Sequence, residues 1–376
     1  MAAPLKDSFG LDAPTGIARE IAAAWPPFRV DAFLADVSPG YDDLELIARV
    51  RRIARALHAH LPADYDEAVG ILMASLGPPV SATLTGMASF FYAPHVFFVA
   101  EFGIDHWATS MRAQYELTQR FTAEFSIRAF LEREPERTLA RLREWAADPS
   151  EDVRRLVSEG TRPRLPWAPR LRTFQRDPAP VIELLELLKD DPSAYVRRSV
   201  ANNLNDIGKD HPELLVEVCR RWLDGATDGR RWVVRHGLRS AIKRGDRAAL
   251  ALLGFDAGGV ADVVAAQIEP AAPRIGDGVR VSATIGNAGD RRAAFNVDLR
   301  IHFVKSNGRT SPKVFKVRRV ELEPGERVAL SKRISLQQHT TRVHRSGEHR
   351  VELLINGELR PAGSFLLRDA PQDRRP

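Results

Sequence analysis

Asp148-Pro-Ser-Glu-Asp-Val-Arg-Arg155 returns as Asp191-Pro-Ser-Ala-Tyr-Val-Arg-Arg198. A weaker echo, Arg230-Arg-Trp-Val-Val-Arg-His236, sets Val234-Arg235 against Val196-Arg197. The spacings are about 43 and about 38 residues, the period of HEAT-like helical pairs. Each such pair supplies an outer and an inner helix, and stacking leaves a concave inner surface. In both full copies proline stands where a helix begins, with serine near the cap. Glu151 and Asp152 fall in the first turn, where acids suit the positive end of the helix dipole. The Val-Arg-Arg signal lies on the second, inner helix of each pair. Arg154, Arg155, Arg197, Arg198, Arg231 and Arg235 are therefore candidates for stacked basic rows. They could equally pair with acids of adjacent repeats.

Outward from this repeat, the chain is helical towards its N-terminus. Amphipathic segments are expected at Ile17–Trp25 and Val30–Val37. A longer one runs over Asp42–Leu61, where Leu44, Ile47, Val50 or Ile53, Leu57 and Leu61 recur at three- and four-residue steps. Arg49, Arg51, Arg52 and Arg55 take its other faces. Asp64 is the expected cap of a helix ending at Leu76. Residues 77–85 read as a loop, and Phe90–Phe102 as an aromatic core segment. Further helices are expected at Asp105–Phe121, Ser126–Leu131 and Thr138–Trp145. Past Phe255 the period changes from helical to two. Val279, Val281, Ala283 and Ile285 alternate with polar residues, as do Val297, Leu299, Ile301 and Phe303. About seven short strands separated by Gly, Asn and Pro turns indicate an immunoglobulin-like sandwich. The fold class is thus an all-α HEAT-like repeat region, residues 1–255, followed by an all-β sandwich, residues 256–370. Asp256-Ala-Gly-Gly259 is read as a linker and residues 371–376 as a tail.

The 376 residues carry a net charge of +6, unevenly spread. Residues 1–119 come to about −6, residues 120–255 to about +5 and residues 256–376 to about +7, a pattern that suits a polyanionic partner for the last two thirds. On the sandwich, Arg300, His302, Lys305, Lys313, Lys316, Arg318, Arg319 and the Gln337–Arg345 segment supply basic and polar groups. The lone cysteine, Cys219, excludes an intrachain disulfide and a multi-cysteine metal site. No apolar run reaches the ~20 residues of a membrane span, and no signal peptide is evident at Met1. A cytoplasmic monomer is expected. Phosphate-binding glycine loops, a serine nucleophile elbow and paired metal-ligand histidines are all missing. His58 and His60 point apart on a helix, and Asp105-His106 reads as structural. No metal and no cofactor are expected.

Three polar or aromatic groups exceed what a repeat core needs. Glu124 sits among apolar residues in Arg120-Phe-Thr-Ala-Glu-Phe-Ser-Ile-Arg128. Trp167 stands in the proline-stiffened Arg162-Pro-Arg-Leu-Pro-Trp-Ala-Pro169. Asp206 follows Asn202, Asn203 and Asn205. Singly, they could be a capping glutamate, a lid on the repeat core and an inter-repeat ladder. Together, acids and a rigid aromatic on a basic surface suit cleavage of a glycosidic bond in DNA. Carboxylates stabilise the positive charge developing on the sugar, and an aromatic face can do so through its quadrupole. A phosphate track would hold the duplex. The alternative is a non-catalytic HEAT scaffold that binds protein or nucleic acid.

Thr122-Ala-Glu-Phe-Ser-Ile-Arg128, Val157-Ser-Glu-Gly-Thr-Arg-Pro-Arg-Leu-Pro-Trp167 and Ser199-Val-Ala-Asn-Asn-Leu-Asn-Asp-Ile207 resemble the AlkC DNA glycosylases, of the HEAT-like superfamily that also holds AlkD. The resemblance covers about residues 40–255, and the sandwich resembles the immunoglobulin-like domain of one AlkC subgroup. It implies a bacterial-type, nucleoid-associated enzyme that removes 3-methyladenine and 3-methylcytosine from double-stranded DNA without base flipping. It implies Glu124, Trp167 and Asp206 as active-site residues, with the acids in electrostatic and water-positioning roles and the indole against the deoxyribose. Besides the stacked arginines, Arg162, Arg164, Asn202, Asn203 and Lys209 become candidates for DNA contact. The family's sandwich embraces the DNA opposite the repeats, which would account for its basic charge. A monofunctional glycosylase without lyase activity is expected.

Overall fold

The computed structural model describes residues 5–79, 88–255, 260–338 and 343–370. The expected 256–259 linker, the 371–376 tail, most of the 77–85 loop and residues 339–342 of the Gln337–Arg345 segment lie outside the described residues. By packing, the chain divides into two units. One comprises Ala2–His211 and Gly225–Gly237; the other comprises Pro212–Asp224 and Leu238–Pro376.

Among its described residues, the regular elements of the first unit are all helices. Asp12–Ala24, Val30–Val37, Leu46–His60, Tyr65–Ala74, Ala93–Phe102 and Trp107–Thr118 form its N-terminal part. Their apolar stripes meet in a core of Ile17, Ile21, Phe33, Ile53, Leu57, Leu72 and Phe98, all fully buried. Each such side chain contributes roughly 1.5–3 kcal/mol relative to exposure. Asp64 caps its helix as expected, accepting from the Glu67 N–H at 2.8 Å. The helix expected from Asp42 starts later, at Leu46, and Arg49 does not face solvent. It is 4% exposed and donates to the carbonyls of Lys6, Phe9, Asp42 and Leu44. The first turn of that helix is stitched to the preceding chain, and a guanidinium supplies enough donors to satisfy four carbonyls there.

The repeat then takes over. Glu151–Gly160, Ala194–Ile207 and Asp228–Gly237 lie side by side as inner helices, and Pro135–Trp145 and Ala179–Leu188 back them. The recurring motif is a clamp on the helix start. Asp148 and Asp191 each accept from the serine N–H two residues on, at 2.8 Å. Arg154 folds back onto the carbonyls of Asp148 and Pro149, and Arg197 onto those of Asp191 and Pro192. Arg154 also grips Asp191 of the next repeat with two nitrogens, at 2.7 and 3.1 Å. Gly160 is the last residue of the first inner helix, and a Cβ there would strike Ile127 of the neighbouring Ile127–Arg133 helix.

In the second unit the strands are β1 (Ala261–Glu269), β2 (Gly278–Asn287), β3 (Ala293–Val304), β4 (Thr310–Leu322), β5 (Arg327–Ser335), β6 (Gly347–Ile355) and β7 (Glu358–Leu367). They form two antiparallel sheets, ordered β1-β2-β5 and β4-β3-β6-β7. The inward positions are the alternating apolar residues picked out by period, Val279, Val281, Ile285, Val297, Leu299 and Ile301 among them. One member of the expected basic outer face is internal: His302 is buried and bonded to Glu352 at 2.8 Å, whereas Arg319 is exposed and lies over the ring of Phe255.

Candidate functional site

Glu124 lies in the turn between the Trp107–Thr118 and Ile127–Arg133 helices, with its carboxylate buried. A local loop fixes it. The Thr122 hydroxyl donates to Glu124 Oε2 at 2.7 Å, and the Glu124 N–H donates back to Thr122 Oγ1. From the first inner helix, Arg155 Nη1 reaches both Thr122 Oγ1 (2.9 Å) and Glu124 Oε2 (3.0 Å). Asp206 sits near the end of the Ala194–Ile207 helix and is 1% exposed. Arg162 places Nε and Nη2 at 2.8 Å from its Oδ2, and Lys209 Nζ stands 2.7 Å from Oδ1.

A third carboxylate links these clusters. Glu159 stands one helical turn from both arginines, 2.5 Å from Arg162 Nη1 and 3.7 Å from Arg155 Nη2. Its other oxygen accepts from the Ser199 hydroxyl at 2.6 Å. The result is one chain of alternating charge: Glu124, Arg155, Glu159, Arg162, Asp206, Lys209. Burial works to raise the Glu159 carboxyl. The charges of Arg155 and Arg162, with hydrogen bonds from Ser199 and Arg162, outweigh it and hold the group below the usual carboxylate range. Burial likewise works to lower Arg155 and Arg162, and their acids outweigh it. Ions this deeply buried persist only when paired and hydrogen-bonded, and the planar guanidinium suits a group shared between two carboxylates.

Trp167 belongs to the loop that follows the first inner helix and ends at the Arg172–Arg176 helix. It is 63% exposed, and its backbone has φ 64°, a left-handed value that non-glycine residues rarely adopt. The loop that imposes this is held from beneath. Arg128, 5% exposed, donates to the carbonyls of Gly160, Arg162 and Pro169. Burial lowers its guanidinium to about 10. Arg164 pairs with Asp210, whose Oδ2 also accepts from Gln175. The indole lines a cavity of about 200 Å³ with Ile47, Phe97, Phe125, Arg128 and Pro169. Trp167 therefore neighbours, through Phe125 and Arg128, the segment that carries Glu124. No hydrogen bond joins it to the charged chain among the described residues.

The remaining candidates divide by partner. Arg154 and Arg197 are committed to the repeat clamps. Asn203 is buried and donates to the Ser158 carbonyl and the Thr161 hydroxyl, an inter-repeat bond. Arg155, Arg162, Arg164 and Lys209 hold acids. Arg198 and Arg235 are exposed; Arg231 is exposed beside Asp228 at 3.3 Å; Asn202 is half-buried. The sequence reading did not single out Glu159 or Tyr195. Tyr195, 43% exposed, has the Arg155 guanidinium 5.0 Å from its ring centre. Helical spacing could have signalled Glu159, which is i+4 from Arg155 and i−3 from Arg162. No group of His, Cys, Asp and Glu suited to a metal ion occurs among the described residues. What the arrangement offers chemically is two buried carboxyl groups, each held by cationic partners, and an exposed aromatic face on a loop that neighbours the Glu124 segment.

Comparison with known proteins agrees with both parts. Residues 262–369 match the family described as the C-terminal Ig-like domain of the uncharacterised protein YhaZ. Over 364 residues the chain is 34% identical to "Uncharacterized protein YhaZ" of Bacillus subtilis, covering 96% of this chain and 99% of that one. The solved structure of the Pseudomonas fluorescens alkylpurine DNA glycosylase AlkC, bound to DNA containing an abasic site analog, is similar with a TM-score of 0.90 and 37% identity. The match covers 97% of this chain and all of that one.

Proposed function

The chain belongs to the AlkC family, and from that premise we propose that it is a DNA glycosylase that excises cationic alkylated bases, 3-methyladenine and 3-methylcytosine, from duplex DNA. The observation that carries this reading is the buried alternating chain that fixes Glu124 and Asp206 against cationic partners. An N3-methylated base already bears positive charge and leaves without a proton donor. The enzyme's task is then to stabilise the cationic sugar and to supply water. Fixed carboxylates do the first without reorganising when charge develops. Glu124 and Asp206 stabilise the oxocarbenium-like sugar and orient the water, and Trp167 packs its exposed face against the deoxyribose. Neither task asks for a base-swallowing pocket, so the lesion is processed without flipping. Arg198, Arg231 and Arg235 on the inner helices contact phosphates and hold the duplex. The protein acts as a monofunctional, cytoplasmic enzyme; Lys209, the lysine beside the proposed acids, is held by Asp206 at 2.7 Å and does not act as a Schiff-base nucleophile.

The test is release of methylated bases from methylated duplex, comparing the wild type with Glu124→Gln. About tenfold or greater loss of rate with near-native duplex affinity supports the assignment. Wild-type rates in both Glu124→Gln and Asp206→Asn would overturn it. Strand cleavage before alkali would contradict the monofunctional reading.

A further inference from the structure

The two acids assigned to the sugar do not meet each other; both are reached through Glu159. Arg155 lies between Glu124 and Glu159, and Arg162 between Glu159 and Asp206. Glu159 is 6% exposed and fixed from the far side by Ser199, whose oxygen is also 2.9 Å from Ser158 Oγ. The six charges of the chain sum to zero: three carboxylates, two guanidinium groups and one ammonium.

We propose that Glu159 is a positioning residue that balances charge, drawing part of the field of Arg155 and Arg162 away from Glu124 and Asp206 so that both keep their negative potential for the substrate. The inference rests on the glycosylase reading. Without Glu159 each guanidinium would face one carboxylate alone, and the chain would carry a net positive charge beside a sugar that is itself becoming cationic. Pairing strong enough to bury an acid also quenches it. A shared third acid allows burial and fixed geometry without that quenching. Ser199 sets the orientation, since its hydroxyl holds the Glu159 oxygen that Arg162 does not. Glu159 itself touches neither substrate nor water in this role.

The role separates rate from affinity. Glu159→Gln should slow single-turnover base release by about tenfold or more, while duplex affinity stays at or above wild type because the surface has gained positive charge. A lesion of folding alone would instead lower rate, affinity and melting temperature together. Charge balance also predicts rescue. Adding Lys209→Gln to Glu159→Gln returns the chain to zero net charge and should recover severalfold of the lost rate at saturating enzyme. A wild-type rate in Glu159→Gln, or no recovery in the double variant, overturns the proposal. Should Glu159→Gln fail to fold, Ser199→Ala frees the same carboxylate without changing charge. It should slow release about threefold at unchanged affinity, and a wild-type rate there is equally fatal. Glu124→Gln and Asp206→Asn run in parallel: if both are fully active the glycosylase site falls, whereas if they are inactive and Glu159→Gln is not, only this inference falls.

Discussion

Arg162 grips Asp206 with two nitrogens, Nε and Nη2, each 2.8 Å from Oδ2. Both partners are buried, and Arg162 also holds Glu159. A buried pair of this kind is worth little compared with an apolar substitute but is costly to break from one side. Asp206→Asn would leave the guanidinium underpaired and destabilise the helical unit by on the order of 3 kcal/mol. Base release would fall by about tenfold or more. Urea unfolding of the variant measures the first, and a single-turnover assay at a temperature where it remains folded measures the second.

Trp167 makes the opposite case. Its side chain is 63% exposed and its backbone is left-handed, so little packing is lost by removing the ring. Trp167→Ala should leave the melting temperature within about 2 °C of wild type and still slow base release by about tenfold. Trp167→Gly should be at least as stable as Trp167→Ala, because glycine adopts this φ without the Cβ clash. Thermal melts of the three proteins decide the point. A large loss of stability in Trp167→Ala would mean that the indole is a lid on the core.

Sequence periodicity made the fold legible because helical pairs and half-buried strands impose different periods on apolar residues. The repeat motif was legible as structure, yet the roles of its arginines were not. Arg154 and Arg197 occupy the first arginine position of Val-Arg-Arg and clamp their own helix starts, while Arg155, in the second, turns to Glu124. Sequence spacing cannot show that division, because it depends on which acid the neighbouring helix presents. Glu124, Trp167 and Asp206 were visible as surplus residues beside the repeat. Their linkage through Glu159 was hidden because Glu159 reads as one more acid on an amphipathic helix. Arg49 was misplaced for a related reason: a guanidinium on a helix looks solvent-facing until the chain segments that need its donors are known.

The same division predicts how binding should respond to salt. Arg198 and Arg235 are exposed on inner helices, whereas Arg154 is tied to Asp191 and two carbonyls. Arg198→Ala and Arg235→Ala should each weaken duplex binding and reduce the slope of log affinity against log salt by about one. Arg154→Ala should cost mainly stability, since it cuts a bidentate inter-repeat pair and frees two carbonyls. Fluorescence anisotropy across a salt series, run beside denaturation, separates the classes. An unchanged slope in both Arg198 and Arg235 variants would remove these residues from the phosphate track.

His95 gives a stability prediction independent of catalysis. It lies in the Ala93–Phe102 helix at 1% exposure, and its Nδ1 has no hydrogen-bond partner. Burial lowers its pKa from the ordinary 6.5 to about 4. The folded protein therefore keeps this imidazole neutral at a pH where the unfolded chain protonates it. The sign follows: stability from His95 is complete above pH 6.5 and is lost as pH falls from there towards about 4. Between pH 7 and pH 5 the loss amounts to about 2 kcal/mol. His349, also lowered by burial, adds to the drop, and Glu20, Asp152 and Asp298, raised by burial, work against it. Urea denaturation at the two pH values should show this drop in the wild type. In His95→Leu, which packs an apolar group of similar reach, the drop should shrink by about 2 kcal/mol. An equal pH dependence in the two proteins would show that His95 is protonated in the folded state, or that another group titrates in its place.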